Sequence, residues 1–198
     1  MGNIGSVMNA CARFAGGSSQ AVIVSEAEQL KYADKIILPG VGSFGEAAAE
    51  LKARKLLETL KAKIQEGAPF LGICLGMHLL LERSQESPGA KGLGLIKGEV
   101  LKFKSAKIKV PHIGWNDINA KSKTQNAKIL KDVADGSYVY FCHSYYVKPD
   151  DEDVVVAITD YGLKFASIIA KDNIFGIQFH PEKSQAAGLK ILENFIKL

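Results

Sequence analysis

Two glycines flank Cys74 at a distance of two residues on either side, in the run Gly72-Ile-Cys-Leu-Gly76, and Pro69, Phe70, Leu71 and Ile73 make a short apolar stretch through it. A stretch so short and so apolar suits a strand buried on both faces. Residues 77–83 follow as a helical run. The pattern demands a sharp strand-to-helix turn, with glycines admitting close backbone approach and the residue at the tip left exposed. At such a tip Cys74 reads as a nucleophile, whereas a cysteine without those glycines would read as a small buried apolar residue. A helix starting beside the sulfur also favours its thiolate.

The elements around this turn alternate. Residues 1–6 read as a glycine-rich loop, 7–14 as a helix, 20–24 as a strand and 36–38 as a second strand ending in Pro39-Gly-Val-Gly42. Over 46–65 the pattern is helical, with Leu51, Leu56, Leu57, Leu60 and Ile64 near one stripe and Gly67 as the cap beyond its end. This alternation predicts an α/β fold, a mostly parallel sheet with helices on both faces. Past Pro88 and Gly89 the character changes. Residues 95–103, 137–142, 154–158, 165–170 and 174–179 are short, β-branched or aromatic, and read as strands. Segments 110–116 and 143–146 read as irregular, and a helix with Leu189, Leu192, Phe195 and Ile196 on its apolar side closes the chain. No boundary interrupts residues 1–198, which read as one domain with a β-rich C-terminal half.

Composition removes several function classes. The net charge of +4 is spread over scattered lysines with no dense basic block, which speaks against a nucleic-acid partner. Cys11, Cys74 and Cys142 form no C-x-x-C pair, so neither a disulfide framework nor a metal site is expected, and the set fits a reducing cytoplasm. No apolar run reaches the ~20 residues that span a bilayer, so no membrane association is expected.

A cysteine nucleophile needs a base, and the base an orienting group. His180 follows an apolar strand, and Pro181 constrains the turn to Glu182, whose carboxylate can come back to the imidazole. His112 and His143 lie in aromatic-rich segments and read as structural hydrogen-bonding groups; His78, one helical turn past Cys74, reads as a substrate contact or a packing residue. Gly40 and Gly42 end a strand in a way that lets a peptide N–H turn toward a developing oxyanion, and the Leu75 N–H is the second candidate donor.

Taken together, Gly72-Ile-Cys-Leu-Gly76, Pro39-Gly-Val-Gly42 and His180-Pro-Glu182 resemble the class I, triad-type glutamine amidotransferases. Within that family, Met1-Gly-Asn3, Pro111-His-Ile-Gly-Trp-Asn116, Tyr140-Phe-Cys-His-Ser-Tyr-Tyr146 and Gln178-Phe-His-Pro-Glu-Lys-Ser184 look like the glutaminase subunits of imidazole glycerol phosphate synthase, of histidine biosynthesis. The resemblance implies a flavodoxin-like sheet with a β extension. It also implies hydrolysis of glutamine at Cys74, with His180 as base and Glu182 as its orienter, and no cofactor. The backbone of Val41 and Leu75 would form the oxyanion hole, and Gly40, Gly42, His78, Ser144 and Tyr145 would hold glutamine. Ammonia would pass to a (β/α)8 cyclase subunit facing Asn3, Trp115, Tyr140 and Lys183. Similar glutaminase subunits supply ammonia for amidinating sugars of surface polysaccharides, and a non-catalytic assembly subunit is a third reading. The sequence departs from the family pattern in three ways. His78 stands where glutamine is usual, Cys142 where valine is common, and the family's first strand is expected but absent before Met1.

Overall fold

The apolar run into Cys74 is strand β2 (Phe70–Cys74), buried at every position, and the fold is layered around it. The computed structural model describes residues 4–16, 20–104, 108–121 and 127–198. Among them the other strands are β1 (Ile36–Gly40), β3 (Arg83–Ser84), β4 (Gly98–Lys102), β5 (His112–Ala120), β6 (Ser137–His143), β7 (Tyr145–Pro149), β8 (Val155–Asp160), β9 (Lys164–Lys171) and β10 (Ile174–Ile177). The helices are α1 (Ile4–Ala12), α2 (Ala27–Leu30), α3 (Phe44–Ala53), α4 (Leu56–Gln65), α5 (Leu75–His78) and α6 (Gln185–Ile196).

A seven-stranded sheet runs β1-β2-β10-β9-β8-β5-β6, and β3-β4-β7 make a smaller one. Pairing is parallel among β1, β2 and β10 and antiparallel from β10 outward to β6. The alternating first half thus supplies two of the three parallel strands, and the β-rich second half becomes the antiparallel extension. Side chains of β2 alternate between two apolar layers, as period-2 geometry requires. Leu71 and Ile73 share one apolar layer with Val7 and Cys11 of α1 and Leu192 and Phe195 of α6, while Phe70 belongs to the other with Leu30, Leu60 and Ile64.

Four local expectations are corrected. The helix expected over 46–65 is two helices, because Lys55 takes a left-handed conformation (φ 57°) that ends α3 before α4 begins. Only one turn of helix follows Cys74, since Leu79, Leu80 and Leu81 are all buried and show no amphipathic stripe. Their carbonyls bond instead to the following loop, Leu79 taking Leu93 N–H (2.7 Å) and Leu80 taking Leu95 N–H (3.0 Å). Residues 20–24 form no strand, and Val22 and Ile23 are exposed. A strand exists only beside a hydrogen-bonding neighbour, and none of the described residues pairs with the outer edge of β1. Finally, most of the segment read as irregular at 110–116 belongs to β5, whose pairing with β6 is set by a partner distant in sequence.

Candidate active site

Register brings the ends of the parallel strands to one level. Gly40 pairs opposite Cys74, and Ile177 opposite Ile73, so the loop after β1 and the segment after β10 both flank the cysteine. Carboxyl ends of parallel strands are where open α/β sheets bind ligands. Cys74 itself has φ 54° and ψ −106°, outside the helical and extended wells, a strained elbow. The flanking glycines are required by approach distance. A Cβ on Gly72 would stand 2.5 Å from the Gly76 carbonyl oxygen, and one on Gly76 would stand 1.9 Å from the Leu38 carbonyl oxygen.

The sulfur is nearly enclosed. Burial pushes the Cys74 thiol up to about 12, and Cys142 and Glu182 push in the same direction. The Leu75 N–H and the Gln178 amide, whose Nε2 lies 3.8 Å from Sγ, both favour the thiolate but do not outweigh burial. Burial thus opposes the thiolate that the helix N-terminus favours, and α5, with four residues, is too short to offset the desolvation.

Past β10 the chain continues through Gln178 and Phe179 to His180, and the turn Pro181–Lys183 carries Glu182 back beneath the imidazole. His180 Nδ1 lies 3.1 Å from Glu182 Oε1, with the two side chains 5% and 1% exposed. A carboxylate partner accepts a hydrogen bond from Nδ1–H and so leaves Nε2 as the acceptor. This turn is clipped to β6. The His180 N–H donates to the Tyr140 carbonyl (2.9 Å), the Tyr140 N–H to Ser184 Oγ (2.9 Å), and Ser184 Oγ–H to the His180 carbonyl (2.6 Å).

Cys74 and His180 open onto one cleft of about 460 Å³. Gly40, Val41, Gly42, Leu75 and His78 line its sheet side, while Ser144, Tyr145 and Lys183 line the other. Trp115 and Tyr140 lie outside it, their rings 6.2 Å apart on the outer face of the β5–β6 hairpin, with Lys183 Nζ 5.5 Å from the Tyr140 ring centre. Ile113, Trp115 and Tyr138 are exposed on that hairpin. Asn3 lies outside the described residues. Among the described residues no group of three His, Cys, Asp or Glu side chains is placed to hold a metal ion, and no helix is long and apolar enough to cross a membrane.

Sequence reasoning missed Glu86, which lines the cleft while its Oε2 accepts the Phe44 N–H (2.8 Å) at the start of α3. No local motif marks Glu86; it reaches the cleft because α3 docks against the segment after β3. Gln178 was legible only as part of a motif, not as a contact of the sulfur. His78 is buried, its Nε2 is 2.8 Å from Gln178 Oε1, and burial pushes it down to about 4. His112 and His143 are both buried and linked, with His112 Nδ1 at 3.1 Å from His143 Nε2 and His143 Nδ1 at 2.7 Å from the Tyr145 carbonyl.

The sequence matches the family profile Glutamine amidotransferase class-I over residues 16–198. It is 47% identical over 197 residues to imidazole glycerol phosphate synthase subunit HisH of Methanocaldococcus jannaschii, covering 100% of this chain and 95% of that protein. To the protein of the same name from Aquifex aeolicus it is 46% identical over 195 residues, covering 98% and 91%. In shape it is similar to a solved structure described as a crystal structure of glutamine amidotransferase, with a TM-score of 0.75 over 100% of this chain and 95% of that one, at 16% identity.

Proposed function

Because the chain belongs to the class-I glutamine amidotransferases, and within them to the HisH subunits of imidazole glycerol phosphate synthase, we infer that it hydrolyses glutamine at Cys74 and delivers ammonia to a cyclase subunit. The observation that carries this reading is the convergence of the Cys74 elbow and the His180–Glu182 pair on one cleft.

Glutamine enters with its carboxamide over Cys74. Glu86 takes its ammonium group, and Ser144, Tyr145, Gly40, Gly42 and His78 hold the rest. The thiol is neutral at rest, so its proton moves to His180 Nε2 as Sγ attacks the carboxamide carbon. Glu182 holds the imidazolium that forms. The oxyanion is received by the N–H groups of Leu75 and Val41, an arrangement commonly the largest single catalytic term. Collapse breaks the C–N bond as His180 gives its proton to the departing nitrogen, which leaves as ammonia, and water then cleaves the glutamyl thioester to glutamate. The cyclase seats on Trp115, Tyr140 and Lys183 beside the exposed Ile113 and Tyr138. The reaction sequence belongs to the cytoplasm.

Cys74→Ser tests this. With the cyclase present, glutamine-dependent synthesis falls by at least about 10⁴-fold, while synthesis driven by ammonium salts continues. Loss of both activities from an assembled complex would overturn the division of labour. A neutral, enclosed thiol also makes the free subunit a poor glutaminase, activated when the cyclase with its nucleotide substrate aligns the Val41 peptide; full-speed hydrolysis by the free subunit would contradict that.

A further inference from the structure

Gln178 is completely buried, and its side chain bridges the sulfur to an imidazole: Nε2 lies 3.8 Å from Cys74 Sγ and Oε1 2.8 Å from His78 Nε2. We propose that Gln178 is a positioning residue for the nucleophile, holding an N–H on the sulfur as it gains charge, and that His78 fixes which end of the amide faces the sulfur. The proposal rests on the reading of Cys74 as the nucleophile.

A carboxamide has a donor end and an acceptor end of nearly the same shape, so its surroundings must decide its orientation. The backbone of Gln178 is fixed by its N–H to the Ser167 carbonyl (2.9 Å), which leaves the side chain to reach between the ends of β10 and β2. An N–H at His78 Nε2 matches Oε1 of the amide and turns the NH₂ toward Cys74. The reverse orientation would set a carbonyl oxygen against a developing anion and withdraw the amide donor from it. Burial keeps His78 neutral, so it orients the amide without adding a charge beside the sulfur. A glutamine at position 78, usual in the family, also offers Oε1 an N–H.

The Leu75 N–H also donates to the sulfur, and that group is needed by the substrate oxyanion once attack begins. The Gln178 donor stays with the sulfur throughout. It is a weak bond to a thiol and a charge-assisted one to a thiolate, so it favours the state on the way to attack over the resting state. No bond breaks in this role; the thiol proton still goes to His180. Glu182 and Cys142 also face the sulfur and oppose its ionisation, and both stay in place in the variants below.

The test is the pH profile of Cys74 alkylation by iodoacetamide in the full chain without glutamine, followed at the Cys74 peptide by mass spectrometry so that Cys11 and Cys142 do not interfere. Gln178→Met keeps the length and removes the donor. It moves the profile to higher pH, lowering the alkylation rate below the midpoint by about tenfold, and lowers kcat for glutamine comparably with little change in KM. A lower unfolding midpoint with an unmoved profile would mean that Gln178 only packs, and would overturn the proposal. If Gln178→Met does not fold, His78→Leu frees the amide to turn and shifts the profile the same way, by about threefold, while His78→Gln brings it back. An unmoved profile in His78→Leu would overturn the orienting role. Cys74→Ser separates the underlying reading: persistent glutamine hydrolysis in that variant would remove the nucleophile assignment itself, whereas its loss beside unmoved profiles removes only the role of Gln178.

Discussion

The two sides of the cleft are held by different physics. Cys74 is held by shape, on a strained elbow whose glycines sit where a Cβ would strike backbone at 2.5 Å and 1.9 Å. His180 is held by polar links, with Glu182 on its imidazole and a ring of three hydrogen bonds joining its backbone to Tyr140 and Ser184. Shape tolerates no added atom but ignores pH and salt. Hydrogen bonds tolerate small movements and connect to whatever else the same backbone carries. Here Tyr140 carries the outer face of β6, where Trp115 and Lys183 meet its ring, so the His180 side is mechanically joined to the proposed cyclase surface. The elbow side has no such link through its glycines.

The harshest way to break this comparison is Gly76→Ala. The added methyl would stand 1.9 Å from the Leu38 carbonyl oxygen, and both groups are backbone or backbone-attached, so neither can swing aside. The expected cost exceeds about 4 kcal/mol, measured by denaturant unfolding, with glutamine hydrolysis lost alongside. A variant within about 1 kcal/mol of the parent would show that the elbow is softer than its geometry implies.

A milder perturbation, Ser184→Ala, acts on the other side. It deletes the acceptor of the Tyr140 N–H and the donor to the His180 carbonyl at a site 1% exposed. Leaving such groups unpaired costs about 1–3 kcal/mol, and a loosened imidazole lowers kcat by about tenfold. Cys74 alkylation should stay within about twofold of the parent, because the elbow does not depend on that ring. Equal losses in kcat and alkylation would mean that the two sides are one unit.

The same division decides what was legible in the chain. Gly72, Cys74 and Gly76 announce the elbow because local backbone demands fall on residues close in sequence. The turn from His180 to Glu182 is legible for the same reason, as is the position of Gly40 and Gly42 at a strand end. What failed depends on partners far away. Strand β5 looked irregular because its pairing with β6 crosses to residues 137–143. Residues 20–24 looked like a strand because β-propensity says nothing about whether a neighbour is present. The break at Lys55 has no local marker, since lysine is a good helix former. Gln178 and Glu86 escaped notice because Gln178 reaches the Cys74 sulfur from within the core and Glu86 reaches the cleft through helix docking, contacts that no spacing rule encodes.

The smallest expected effect concerns the buried histidines, and it sharpens the claim that polar links, unlike shape, answer to pH. His143 Nδ1 faces the Tyr145 carbonyl, which only accepts, so that nitrogen carries the proton and Nε2 receives the His112 Nδ1–H. Both imidazoles are therefore neutral with fixed tautomers. His112 also stacks on Tyr161 at 3.9 Å and on Phe141 at 4.8 Å, an environment with no counter-charge among these contacts. Burial pushes His143 down from its ordinary 6.5 to about 3, and His78 and His112 down to about 4. Below about 6.5 the unfolded chain takes up protons that the folded chain refuses. Their contribution is thus fully present above that pH and is lost as pH falls toward the folded values. Between pH 7 and pH 6 each histidine should cost about 0.7 kcal/mol, and the loss steepens toward pH 5. His143→Gln removes one titrating group, so its stability should fall less than the parent's over that interval, by about 0.7 kcal/mol, in paired denaturant melts. An identical loss in parent and variant would mean that His143 is free to take a proton in the folded protein, and that its link to Tyr145 does not fix the ring.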